Sequence, residues 1–229
     1  MRIAGLVAAS VLVAGCSHSV GGDGDRTSPS LTVPPSTTRA APSTTSPTST
    51  TPARPPGEGA PIADVIAWVE AGAPADPGSY HSATRGSETT ELGAEVAFVT
   101  PSGKANCMTD SKYSVGALAC LVDLKNPPPR PDDAYGEWKG GWIDYDGKGV
   151  FVGRVKGDPG RFSAGAGPEL PYGQSLAFGD YRCRSDPTGL YCVNYAHQSA
   201  ARFSDAGVAP FGCLRPEAPY PQIGQMFVC

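Results

Sequence analysis

Apolar positions follow two periods along this chain. Ile62, Val65, Ile66 and Val69 recur at i, i+3, i+4 and i+7, the stripe of an amphipathic helix. Pro61 suits its first position, Asp64 its first turn, and Gly72 a left-handed stop with Pro74 beyond. Trp68 lies off the centre of the stripe. So short a helix needs a sheet to pack on. Downstream the period falls to two. Short strands are predicted over 95–100, 105–109, 118–124, 142–145 and 150–155, the last two flanking the turn Asp146-Gly147-Lys148-Gly149. A further hairpin is expected from 176–183 and 190–196, with 198–203 continuing the strand or starting the next. Pro127-Pro128-Pro129 and Pro131 make 126–133 a surface loop. The pattern predicts a mainly β fold with one N-terminal amphipathic helix, an α+β domain over 61–229.

Two earlier stretches follow neither period. Residues 17–60 are dominated by Ser, Thr, Pro, Ala and Gly and contain no aromatic residue. Such a segment cannot bury enough apolar surface to offset the entropy of ordering, and its prolines favour extended geometry. It reads as a tether, with a Ser/Thr/Pro composition that accepts O-linked sugar. Before it, Arg2 leads an apolar run over 3–14, too short to span a bilayer comfortably. Leu12-Val13-Ala14-Gly15-Cys16 follows as a lipobox. Residues 1–15 therefore read as a lipoprotein signal peptide, and 16–60 as a lipidated Cys16 plus tether. Two or three acyl chains on Cys16 would anchor the protein stably to membrane lipid. The rival reading is an ordinary secretory signal that happens to end near Cys16.

Export changes how the cysteines read. Beyond Cys16 there are six: Cys107, Cys120, Cys183, Cys192, Cys213 and Cys229. An even number in an exported chain implies disulfides, and six cysteines allow fifteen pairings. Spacing suggests the local set Cys107–Cys120, Cys183–Cys192 and Cys213–Cys229, each closing a loop worth about 3 kcal/mol. Zinc is disfavoured because no Cys-x₂-Cys spacing is present. Past residue 60 there are 14 Lys/Arg against 19 Asp/Glu, which gives nucleic-acid binding no electrostatic support. The stretches around the first two pairs echo one another: strand, Cys, a turn with Gly, an apolar residue, Cys.

A resemblance rests on those stretches. Phe98-x-Thr100-Pro101-Ser102-Gly103 ahead of Cys107 is one part of it. Asp180-Tyr181-Arg182-Cys183 with Gly189-Leu190-Tyr191-Cys192-Val193-Asn194 is the other. Together with the Cys16 signal, they resemble exported lipoproteins of mycobacteria and related actinobacteria. Where members of that family often carry a Gly-rich segment, this chain has Tyr195-Ala196-His197-Gln198-Ser199. The resemblance implies an envelope location and a disulfide-bonded β-rich body. It implies no activity and no catalytic residue.

Candidate chemistry is sparse. His18 falls in the tether, and His81 and His197 belong to no nucleophile motif; no Gly-x-Ser-x-Gly elbow occurs. Asp144 and Asp146 suggest calcium, but Lys148 occupies a ligand position and a hairpin turn accounts for Asp146-Gly147. No cofactor or metal is expected. Recognition is the stronger idea. Tyr135, Trp138, Trp142 and Tyr145 lie close in sequence around glycines, either as a stacking platform for ligand or as core. With His197 they are the candidate ligand contacts. The sequence reading is a lipid-anchored protein on the extracytoplasmic face of the cell membrane. It would be a non-catalytic binding or accessory module for an envelope protein, glycan or glycolipid. The alternatives are an extracytoplasmic hydrolase of cell-wall glycan or lipid and a structural subunit of an envelope assembly.

Overall fold

Ile143 and Tyr145 leave their strand on one side, into a core shared by two sheets, while Trp142 and Asp144 leave it on the other. That alternation organises the whole body. The computed structural model describes residues 54–114, 116–156 and 160–229. The expected signal segment, Cys16 and the expected tether as far as residue 53 lie outside the described residues, whereas the end of that stretch is tied to the domain, with the Pro56 carbonyl accepting from the Tyr191 hydroxyl and Glu58 paired with Arg202.

The helix forms as α1, Ile62–Glu70. The strands follow as β1 (Ala73–Pro74), β2 (Ser82–Arg85), β3 (Glu88–Glu91), β4 (Ala97–Val99), β5 (Ala105–Thr109) and β6 (Leu118–Val122). Next come β7 (Trp138–Tyr145), β8 (Gly149–Val155), β9 (Gln174–Phe178), β10 (Tyr181–Asp186) and β11 (Gly189–Asn194). The last four are β12 (Ser199–Ser204), β13 (Gly207–Gly212), β14 (Arg215–Glu217) and β15 (Ile223–Val228). Short helical turns cover Pro77–Tyr80, Ser111–Ser114 and Gly160–Ala164.

The fold is mainly β. One sheet has the order β1-β9-β10-β11-β12-β13 and the other β14-β15-β8-β7-β6-β5-β4. Strands β4 to β8 and β9 to β13 are therefore two antiparallel meanders of five strands each. The second and third strands of each are bridged by a cystine. Cys107 pairs with Cys120 directly across β5 and β6, and Cys183 with Cys192 across β10 and β11. Both bridges are buried in the shared core, among Phe98, Leu118, Tyr145, Leu176, Leu190 and Phe203. Cys213–Cys229 joins the start and end of the tail. The local pairing expected from spacing is the one formed.

Four local expectations are corrected. Gly72 is not a left-handed stop; Ala71 caps α1 in helical geometry, and Pro61 stands just before the helix. Gly72 serves packing instead, because a Cβ there would meet Arg184 and Ser175 side-chain carbons at 3.0 Å. Trp68 is not peripheral: Val65, Trp68 and Val69 form the buried face of α1. The 176–183 segment is two strands, β9 and β10, divided at Gly179 (φ 48°) and Asp180. Residue 198, also at positive φ, separates β11 from β12. The β2–β3 hairpin had no hydrophobic signature, since all four residues of β3 are exposed.

The two outer faces are covered differently. Helix α1 lies on β10 to β13, with Trp68 at 4.7 Å from the Tyr191 ring and Phe211 beside it. On the other sheet, Ala83 and Phe162 cover Ala97, Met108, Ala119 and Trp142. Burying each large side chain is worth about 1.5–3 kcal/mol.

Candidate functional site

A hollow sits at one end of the sandwich, between the β7–β8 turn and the β9–β10 and β11–β12 turns. Its volume is about 700 Å³, enough for a ligand of several rings. A buried polar network fixes its floor. The Ser199 hydroxyl donates to the Gly147 carbonyl at 2.5 Å, so the Tyr145 hydroxyl, 2.7 Å away, donates to Ser199. The Tyr181 hydroxyl donates to the Tyr145 carbonyl at 3.0 Å. Burial raises the pKa of both phenols, which keeps them protonated donors. Gly147 (φ 89°) permits the close approach, because a Cβ there would collide with the Asn194 side chain.

Over this floor the lining is mixed. Phe178 and Tyr181 stack at 5.6 Å and 18°, one aromatic wall. Glu95, Asp146, Asp180, Lys148 and His197 supply charge and hydrogen-bonding capacity. Glu95 is held by the Thr109 hydroxyl (2.6 Å) and the Ser111 N–H (2.8 Å). Burial works against its ionisation, but these bonds and Arg161 outweigh it and lower its pKa. One oxygen of Asp146 accepts the N–H groups of Lys148 and Gly149 across the turn. Asp180 is exposed, and its carboxylate takes no hydrogen bond from a described residue. Three carboxylates against one lysine make the cleft acidic.

Only one of the candidate ligand contacts lines this cleft. His197 does so, half-buried, with its backbone N–H bonded to Asn194 and no hydrogen bond to its ring from a described residue. The four aromatics do not form a platform. Tyr135 is 86% exposed and stands away from the others, whereas Tyr145 is fully buried between the sheets. Trp142 is buried on the outer face of β7, and half-buried Trp138 meets it at a separate hollow with Lys139. A register shift between Lys139 and Ile143 breaks the simple alternation that would align the two tryptophans. Asp144 and Asp146 likewise part company: Asp144 pairs with Arg154 at 2.7 Å, while Asp146 holds its turn.

Glu95 and Phe178 carried no signal in the sequence. Glu95 precedes a strand and Phe178 ends one, and only folding brings them within reach of the β7–β8 turn. Compared with protein-family models, curated proteins and solved structures, the chain matches none of them. Among the described residues no helix is long and apolar enough to cross a membrane.

Proposed function

We propose that this chain is a lipid-anchored envelope protein whose sandwich domain binds a glycan component of that envelope at the acidic cleft. The observation that carries the reading is that the stacked Phe178–Tyr181 pair, the exposed carboxylate of Asp180 and Asp146, one of whose oxygens is left over by its turn, line one hollow. Sugars offer apolar C–H faces to aromatic rings and hydroxyl donors to carboxylates, so such a lining suits them. The anchor rests on the Leu12–Cys16 lipobox, the tether behind it and the likeness to actinobacterial lipoproteins. The extracytoplasmic face of the membrane follows from that signal.

Two measurements test this. Intact-mass analysis of the protein from its native envelope should find diacylglycerol on Cys16; an unlipidated terminus elsewhere refutes the anchor. Calorimetric titration of the full-length protein with a β-1,4-linked N-acetylglucosamine tetramer should show saturable binding. Phe178→Ala and Asp180→Asn should each weaken it about tenfold. Absence of binding refutes the glycan reading. A second reading, hydrolysis of the glycan, draws on the presence of Glu95, Asp146 and Asp180 in one cleft. Shortened sugars in the same mixture, lost in Asp180→Asn, would favour it.

A further inference from the structure

A second site lies on the outer face of the seven-stranded sheet. There Asp144, buried, is surrounded by three cations. Arg154 Nη1 is 2.7 Å from Oδ2, Lys156 Nζ 3.4 Å from Oδ2, and Arg161 Nη1 3.7 Å from Oδ1. The indole N–H of Trp142 donates to Oδ1 at 3.0 Å. Both carboxylate oxygens are thus engaged before Arg161 is served. The side chain of Arg161 is only 7% exposed, and its buried Nη1 has no hydrogen-bond partner among the described residues. Glu95 acts on Arg161 electrostatically but forms no ion pair with it.

Among the described residues Asp144 is the one carboxylate within ion-pair distance of these three cations, and a buried guanidinium nitrogen left without a hydrogen-bond partner is costly. The crowding also shows at Lys156, where burial first, then Arg154 and Arg161, lower the pKa despite Asp144. Beside these groups is an open hollow of about 380 Å³, lined by Trp142, Lys156, Gly160 and Arg161. Lys156 sits 5.1 Å over the Trp142 ring, so the indole holds the ammonium at the hollow's edge.

We propose that this hollow between Trp142, Lys156 and Arg161 binds a phosphate group. The excess of positive charge suits an anion carrying more than one negative charge, and guanidinium plus ammonium is a common pairing for phosphate oxygens. The hollow is larger than a bare phosphate ion needs, which leaves room for the organic body bearing it. That body is a lipid headgroup or a soluble phosphorylated sugar. The site is independent of the glycan reading of the cleft.

The test is phosphate titration of the full-length, disulfide-oxidised protein at neutral pH and low salt, followed by ³¹P NMR and calorimetry. Inorganic phosphate should bind saturably, and Lys156→Gln and Arg161→Gln should each weaken it about tenfold or more. Arg202→Gln, on the other sheet, should leave it unchanged. No saturable binding, or equal affinity in Lys156→Gln, overturns the proposal. Acetate binding as tightly as phosphate also overturns it. Arg161 is buried and its variant can fail to fold; Lys156, less deeply buried, keeps the test decisive, with circular dichroism reporting the fold. Co-sedimentation with phosphatidylglycerol vesicles but not phosphatidylcholine vesicles, lost in Lys156→Gln, assigns the phosphate to a headgroup. Phosphate binding without vesicle binding assigns it to a soluble ligand.

Discussion

The two outer faces of the sandwich start from the same device and end differently. On each, a tryptophan is buried beside a cation: Arg184 lies 3.9 Å over Trp68, and Lys156 5.1 Å over Trp142. Arg184 also donates to the Trp68 carbonyl at 2.5 Å, and α1 covers its surroundings with apolar side chains. The face behaves as a second core. On the Trp142 face the covering is thinner, one carboxylate is shared among three cations, and a hollow opens beside them. Each face leaves a buried guanidinium nitrogen, Arg184 Nε on the first and Arg161 Nη1 on the second, without a hydrogen-bond partner among the described residues; on the second three cations gather on one carboxylate with a hollow beside them.

Trp68→Ala tests the sealed face and should have the largest effect. Emptying the space between α1 and β11 should cost about 3–5 kcal/mol in denaturant unfolding while leaving phosphate binding intact. Asp144→Asn tests the charged face. It leaves three cations around a neutral amide and should cost about 3 kcal/mol by the same measurement. If it costs nothing, the ion cluster contributes nothing to the fold.

Removing the bridge common to the design, by Cys183→Ser with Cys192→Ser, should cost about 2–3 kcal/mol. Acid titration sharpens the contrast further. Burial opposes ionisation of Asp144, but the Trp142 N–H and the cations more than offset it, so its folded pKa is below the unfolded one. Its stabilisation is therefore complete above about pH 4 and lost as pH falls through the depressed value. Unfolding free energy followed below pH 4 should decline, and less steeply in Asp144→Asn. Tyr135→Ala, at an exposed position belonging to neither face, should change stability by less than about 0.5 kcal/mol.

Much of the fold was readable in the chain because its signals are local. Strand alternation around Ile143 and Val152, the helical stripe over 62–69, and short Cys–Cys spacings each depend on neighbours close in sequence. The echo between the two stapled stretches is likewise a local pattern, and it occupies the same place in each five-stranded meander. The hairpin at 82–91 escaped because Ala83 is its one fully buried residue and all of β3 is exposed, which leaves no hydrophobic period to read. Of the candidate contacts, sequence proximity misled for the aromatics: Tyr135 and Tyr145 are ten residues apart yet one is in solvent and the other in the core.

The sequence by itself determined the β-rich class and, through short spacings, pointed to the cysteine partners that form, since short-range periodicity and spacing are local signals. Only tertiary structure decided where charge accumulates. Glu95 reaches the turn of a distant hairpin, and Arg161 reaches a carboxylate on β7, through the packing of elements far apart in the chain. Coulomb energies depend on distance and burial in space, and no pattern along a one-dimensional chain carries either.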